Sequence, residues 1–255
     1  GLLYRPPRPR KAVLVRFFRH DYPVLVRRCG GPIGLAAALL LAAALSAYAA
    51  VRTKPELAYL LLPQGLEVRD IRTVTVEDIS ERFRRTPQSI MASFITTNNI
   101  TVALSAFALG ITAGVGTAYV LLTNGVMLGV FFAHFTNHGL AGPCWSFLAP
   151  HGLLEISAIV IAGGAGLRLG WSLAVPGGRT RRLALREGAK EAVLLVLGTV
   201  PFFMVAGAIE SFITPSYLGG APKVLVGVLA AGAAWAYLLG AGRPSGPAKE
   251  PETAG

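Results

Sequence analysis

Long apolar runs, separated by short polar or basic segments, dominate the pattern of hydrophobic and polar positions in this chain. Between Arg85 and Glu155 the sequence contains no Asp, Glu, Lys or Arg. A helix of about 20 predominantly apolar residues is long enough to cross a bilayer. In lipid, a helix also satisfies its own backbone hydrogen bonds. The pattern therefore predicts an all-α, polytopic helical membrane protein.

Six membrane segments are predicted from the apolar runs, at 33–51, 100–122, 126–148, 150–173, 192–213 and 223–240. Asn124 and Gly125 are taken as the end of the second segment. The apolar run that follows, Val126 to Phe135, is only about ten residues long, which is too short to cross alone. The third segment is therefore predicted to be short or re-entrant.

The predicted organisation has five parts. They are a basic cytoplasmic leader with an amphipathic interfacial helix (1–31), the first span (32–51), an extracytoplasmic loop (52–95), a membrane helical core (96–241) and a disordered cytoplasmic tail (242–255).

Composition agrees with this class and changes the interpretation of the charge. The chain has 255 residues, 53% of them hydrophobic and 15% charged, and its mean hydropathy is +0.55. A net charge of +11 would suggest nucleic acid in a soluble protein. Here the basic residues lie between apolar runs, as the positive-inside rule describes, so no nucleic-acid partner is expected. Six crossings place the basic leader, the basic loop at 179–190 and both termini in the cytoplasm.

The leader carries basic residues that are predicted to bind anionic lipids of the cytoplasmic leaflet: Lys11, Arg16, Arg19, Arg27 and Arg28. The alternative is that these residues only set the orientation of the protein. Small residues inside the apolar runs are predicted to be helix-packing positions: Gly110, Gly114, Gly163, Gly164 and Gly166. The cysteines Cys29 and Cys144 do not form a disulfide framework.

The candidate chemistry begins at Pro150, which is predicted to occupy the first turn of the fourth segment. His151 and Glu155 are four residues apart and share one helix face. At 1.5 Å per residue, Glu155 and Glu210 are expected at the same level of the membrane. The predicted polar intramembrane cluster comprises His151, Glu155, Glu210, Asn98, Asn99, His134 and His138.

Three interpretations of this cluster remain open from the residues alone. A hydrogen bond between His151 and Glu155 would hold helices together. Glu155 and Glu210 could line a proton or ion pathway in a transporter or channel subunit. A metal-dependent intramembrane enzyme would use the ligand set His134, His138, His151 and Glu155. The sequence contains no P-loop, nucleophile elbow, HExxH or haem motif, so a non-enzymatic role without a cofactor is favoured.

Several short motifs in the second half resemble the stage II sporulation protein M family of bacterial integral membrane proteins. They are Asn98-Asn99-Ile100, Asn124-Gly125-Val126 with Leu128-Gly129, Pro150-His151-Gly152 with Glu155, Ile161-Ala162-Gly163-Gly164-Ala165-Gly166-Leu167, Pro201, and Ala206-Gly207 with Ile209-Glu210-Ser211-Phe212. The dense part of this resemblance covers residues 94–216.

In spore formers, the family member belongs to a membrane complex with peptidoglycan-degrading partners. Relatives in other bacteria are often encoded near AAA-type ATPases. The resemblance therefore implies a membrane scaffold or anchor of an envelope-remodelling assembly in the bacterial inner membrane. Its expected partners are membrane or envelope proteins, and self-association into a homo-oligomer is left open.

Overall fold

The computed structural model describes residues 10–61, 88–178 and 180–243, and within them the chain is helical with no β-strand. Most of the predicted extracytoplasmic loop and the predicted disordered tail lie outside the described residues, as does the start of the leader. The membrane helical class predicted from the apolar runs is confirmed. Among the described residues, five helical segments are long and apolar enough to cross a membrane, with Arg181–Phe212 counted as one segment.

The leader is helical, but its middle is not a regular α-helix. Helix α1 spans Arg10–Arg16, a π-helical turn spans Phe17–Asp21, and α2 spans Tyr22–Arg28. Pro23 lies in the first turn of α2, directly after the π-helical turn.

The leader also packs on the bundle. Tyr22 is fully buried, and its ring fills a notch at Gly198 that a larger residue would close. The Tyr237 hydroxyl donates a hydrogen bond to the carbonyl of Phe18. The part of the leader next to the bundle is therefore held by protein contacts.

The first half of the bundle contains four helices. Among the described residues, they are α3 at Gly30–Thr53, the short α4 at Ala58–Leu61 after a 3₁₀ turn at Pro55–Leu57, α5 at Gln88–Ala108 and α6 at Val115–Asn137.

The predicted boundaries of the second and third segments are wrong. The chain breaks at Leu109–Ile111 and turns through Gly114, which has a positive φ of 86°. Helix α6 then runs for 23 residues without interruption through Gly125, so the third segment is neither short nor re-entrant. Gly125 does not end a helix, because it packs against the backbone of α3 at Leu40.

The second half is built on one long helix. Helix α7 spans Ala141–Ala174, 34 residues, and it contacts α3, α5, α6 and the three helices that follow it. Those helices are α8 at Arg181–Leu197, α9 at Val200–Phe212 and α10 at Gly220–Gly240. Because α7 is apolar on nearly all sides, it can be buried as the central helix of the bundle.

The sequence predicted that Pro150 lies in the first turn of its helix, but the structure places it inside α7. The helix begins at Ala141, and Glu155 is therefore about 21 Å along it instead of about 7 Å. Residues 141–148, which were assigned to the third segment, also belong to α7. The proline is tolerated because protein surrounds this turn; Gly227 of α10 packs directly against its backbone.

Contacts between helices define two halves of the bundle. In the carboxylate half, Thr96 of α5 contacts Glu155 of α7 and Glu210 of α9. In the arginine half, Gly110 lies against Gly166. Helix α5 therefore runs parallel to α7. The same kind of contact places the starts of α3, α6 and α8 in the arginine half, with Arg27, Arg28, Arg168 and Glu191. The alternation fits six membrane segments, but that exact count stays a prediction.

The glycines predicted to mediate helix packing lie mainly in the arginine half. A Cβ at Gly166 would collide with the Ala106 carbonyl oxygen and the Thr117 side chain. Gly163 lies against Leu121, and Gly164 lies against Ile33. Gly110 and Gly114 belong to the α5–α6 turn instead of a helix interior.

Candidate functional site

The most unusual side chains meet where α5, α7 and α9 pack together. His151 and Glu155 of α7 are each 0% exposed, and Glu210 of α9 is 3% exposed. Ionisable side chains inside membrane helices are costly and are commonly associated with function. We refer to His151, Glu155, Glu210, Thr96 and Asn99 as the carboxylate cluster.

A single hydroxyl group joins the two carboxyl groups of the cluster. Thr96 Oγ1 lies 3.0 Å from Glu155 Oε1 and 2.8 Å from Glu210 Oε2. Both distances lie within hydrogen-bond range. Helix α5 thus connects the acidic residues of α7 and α9 through one side chain.

Glu155 has a second partner on α5. Asn99 Nδ2 donates a hydrogen bond to Glu155 Oε2. Asn99 Oδ1 faces the Nδ2 atom of Asn98 at 3.5 Å, which favours the amide orientation with the NH₂ group toward Glu155. Asn98 itself is exposed and does not reach the carboxyl groups.

His151 does not bond to Glu155, although the two residues share a helix face as the sequence predicted. Its Nε2 atom lies 3.9 Å from Glu210 Oε1, and the ring packs edge-on to Phe147. Among the described residues, neither His151 nitrogen has a hydrogen-bond partner, and neither does Glu210 Oε1. The predicted His151–Glu155 hydrogen bond is therefore wrong, because the Glu155 oxygens face α5.

His134 and His138 lie at the end of α6, away from the carboxylate cluster. Their rings are 4.4 Å apart, and His138 Nδ1 lies 2.8 Å from the carbonyl oxygen of His134. Within the described residues, no group of three or more His, Cys, Asp or Glu side chains is placed to hold a metal ion. The metal-dependent alternative therefore loses its geometric basis.

The arginine half contains a second ionic group. Glu191 of α8 lies 2.8 Å from Arg168 Nη2 and 3.4 Å from Arg28 Nη1. Arg27 donates two hydrogen bonds of 2.7 Å to the carbonyl oxygens of Leu238 and Ala241, at the end of α10.

These contacts bear on the leader residues predicted to bind lipid. Arg27 and Arg28 have protein partners, and Arg16 lies 3.6 Å from Asp21. Lys11 and Arg19 are exposed. Burial in the same region raises the pKa of the Tyr22 hydroxyl above its ordinary value. Lipid binding by the leader stays a prediction, and its best-placed residues are Lys11, Arg16 and Arg19.

The sequence reasoning missed Thr96, which connects the two acidic groups. A usable signal was present, because Thr96-Thr97-Asn98-Asn99 is a run of four polar residues at the edge of a long uncharged region. Counting helical positions back from Asn99 would have placed Thr96 on the same face, three residues away.

Comparisons with known proteins give a family match. The sequence model described as Stage II sporulation protein M matches residues 36–215. An uncharacterized protein of Methanocaldococcus jannaschii is 31% identical over 124 residues, which is 48% of this chain and 69% of that protein. No solved structure matches the chain.

Proposed function

Since the chain belongs to the stage II sporulation protein M family, we propose that it is a non-enzymatic scaffold or anchor. It would gather the partners of a cell-envelope-remodelling assembly in the cytoplasmic membrane. The membrane helices and the family match support the membrane part of this proposal, and the family resemblance suggests peptidoglycan-degrading enzymes as partners.

The closed interior of the bundle is the observation that carries the scaffold proposal. Helix α7 is enclosed by its neighbours, and Glu155 is bonded to side chains of α5. Two cavities lined by described residues, of about 540 and 420 Å³, do not include Glu155, Glu210 or His151. A substrate site would be expected to place its polar groups in a cavity.

The outer surface offers room for partners. Leu45, Met204 and Phe212 are 68%, 70% and 76% exposed. Such apolar side chains can face lipid tails or other membrane helices. Contact with a partner, instead of lipid alone, is what separates a scaffold from an isolated membrane protein.

Site-specific photo-crosslinking in cells tests the scaffold proposal. A photoreactive residue would replace Leu45, Met204 or Phe212 in turn, and the buried Leu195 would serve as the matched control position. We expect cross-links from at least one exposed position to envelope proteins, with peptidoglycan-degrading enzymes among them. Cross-links to lipid alone from all three positions would contradict the proposal.

The orientation belongs to the same proposal, with the arginine half and both termini in the cytoplasm. The native Cys29 and Cys144 are 2% and 3% exposed and are poor reporters of sidedness. Lys11→Cys and Gly142→Cys, in a chain with both cysteines changed to Ala, would report the two ends. A membrane-impermeant thiol reagent should label only Gly142→Cys in intact cells, and labelling of Lys11→Cys would contradict this orientation.

A transporter or channel subunit is the second candidate, and the acidic pair bridged by Thr96 favours it. In this role Glu155 and Glu210 would carry a proton or cation across the bundle. Proteoliposomes containing the purified protein and a pH-sensitive dye would test it. Dissipation of a proton gradient by the wild type, and none by Glu155→Gln, would favour transport over the scaffold.

A further inference from the structure

The hydrogen bonds of the carboxylate cluster do not balance if both acids are ionised. A threonine hydroxyl has one hydrogen to donate and two lone pairs to accept with. Thr96 Oγ1 is nevertheless within 3.0 Å of oxygens from two carboxyl groups. Thr96 can donate to one of them only. The other contact becomes a hydrogen bond when that carboxyl group carries a proton and donates to Thr96.

The neighbours identify which carboxyl group carries this proton. Glu155 accepts from the Asn99 amide at Oε2 and faces Thr96 at Oε1, so both of its oxygens have a donor when it is ionised. In the part of the chain that the structure describes, Glu210 has no amide donor, and its Oε1 has no hydrogen-bond partner. The consistent arrangement runs from the Glu210 hydroxyl to Thr96, and from the Thr96 hydroxyl to Glu155.

His151 is the third ionisable side chain of the cluster and takes no part in these hydrogen bonds. It is fully buried, its nitrogens have no hydrogen-bond partner among the described residues, and Nε2 lies 3.9 Å from Glu210 Oε1. This separation is too long for a hydrogen bond. Within the described residues of α5, α7 and α9, the titratable groups around Glu210 are Glu155 and His151. Helix α5 contributes no titratable group between 96 and 108.

We propose that Glu155, Thr96 and Glu210 form a buried proton-binding site that holds one proton, carried by Glu210. The neutral Glu210 donates to Thr96, Thr96 donates to the ionised Glu155, and Asn99 stabilises that carboxylate. This assignment does not depend on the scaffold role, because it follows from the number of hydrogens available to the three oxygens.

The site predicts how stability changes with pH. Glu210 holds its proton in the folded state, but at neutral pH it is ionised when the chain unfolds and the side chain becomes exposed. The folded state then binds one proton more than the unfolded state, so stability falls as the pH rises. Over the pH range in which Glu210 is protonated in the folded form and ionised in the unfolded form, the folding equilibrium constant should fall about tenfold per pH unit. Once Glu210 loses its proton in the folded state, two carboxylates compete for one hydroxyl hydrogen.

Glu210→Gln and Glu155→Gln distinguish the two carboxyl groups. A glutamine at 210 keeps a neutral group that donates to Thr96, and it should fold. Measured in detergent between about pH 5 and about pH 9, the melting temperature of this variant should lack the fall with rising pH that the wild type shows near neutral pH. A glutamine at 155 must turn its NH₂ group toward Asn99 or Thr96, so it should melt lower at every pH.

Infrared difference spectroscopy of the full-length protein reads the proton directly. We expect the wild type to show the carbonyl band of a protonated carboxyl group, sensitive to deuterium exchange, and Glu210→Gln to lose it. Thr101→Val serves as the control, because Thr101 bonds only to its own helix, at the Thr97 carbonyl. Three results would each overturn the proposal: a band lost in Glu155→Gln but retained in Glu210→Gln, no such band in the wild type, or a Glu210→Gln chain that fails to fold when Glu155→Gln folds.

Discussion

The two halves of the central helix α7 are held in place by different means. Near Gly166 and Gly170 the helix is in backbone contact with α5, α6 and the turn between them. Near Glu155 it is held by hydrogen bonds from Thr96 and Asn99. At Gly152, in the same half as Glu155, an added methyl group would meet no atom of a neighbouring helix within 4 Å. Close backbone packing fixes one half against α5 and the α5–α6 turn, whereas polar contacts fix the other half against α5.

The two halves also treat acidic residues differently. In the arginine half, Glu191 lies between two arginines and remains partly exposed. In the carboxylate half, two acids are buried with a histidine and neutral amide and hydroxyl donors. An acid can therefore be kept in this bundle by an opposite charge near its surface, or by hydrogen bonds and a proton inside it.

The largest expected effect comes from adding one methyl group to each half. Gly166→Ala should destabilise the protein by about 2–3 kcal/mol, because the new Cβ overlaps backbone and side chain on two helices. Gly152→Ala should be neutral or stabilising by up to about 1 kcal/mol, because alanine favours the helix and space is available. The two variants are compared by their melting temperatures and by their unfolding curves in detergent. Equal losses from the two substitutions would contradict the difference between the halves.

The next effect concerns the hydroxyl that joins the acids. Thr96→Val keeps the shape of the side chain but removes the contact with Glu155 and Glu210, and should cost about 0.6–1.7 kcal/mol. Thr96→Ser restores the hydroxyl and should recover most of that loss. Thr101→Val, on an exposed face of the same helix, should change stability by less than either. If Thr96→Val unfolds no more readily than Thr101→Val, the hydroxyl does not stabilise the cluster.

A smaller effect is expected from the acid in the arginine half. Glu191→Gln removes the ionic attraction to Arg168 and Arg28 while keeping a polar side chain. Because these groups are partly exposed, the loss should be about 0–1 kcal/mol and should shrink at high salt. Unfolding at low and high salt measures it. A salt-independent loss larger than that of Thr96→Val would reverse the expected order of the two halves.

The smallest effect is expected at Tyr22. Its hydroxyl is buried without a hydrogen-bond partner, so Tyr22→Phe removes an uncompensated polar group and should leave stability unchanged or slightly higher. A large loss in Tyr22→Phe would indicate that the hydroxyl has a partner after all.

The class of fold could be predicted from sequence because the cost of placing charge in lipid leaves a long uncharged region. Helix ends were harder to predict. Glycine both ends helices and packs inside them, so Gly125 was misassigned as a stop and Gly114, which lies in a turn, was placed inside a helix. Pro150 was misplaced for a related reason, since a proline in a first turn and one inside an enclosed helix look the same in sequence.

The candidate site was predictable in part. Helical rise put Glu155 and Glu210 at a common level, and the structure brings both together with Asn99. Which atoms meet could not be predicted, because the rotation of each helix depends on packing. Thr96 therefore went unnoticed, and the predicted hydrogen bond between His151 and Glu155 is not formed.

The contact of Arg27 with the carbonyls of Leu238 and Ala241 has a consequence for the order of assembly. The two partners are separated by 211 and 214 positions in the chain. At about 5–20 residues per second, a ribosome needs roughly 10–40 s to reach the last helix after it has made the leader. Throughout that interval α2 lacks its final docking partner, and it remains available to the membrane surface or to a chaperone. A segment that is synthesised before the helices of the bundle is thus among the last to be locked into place.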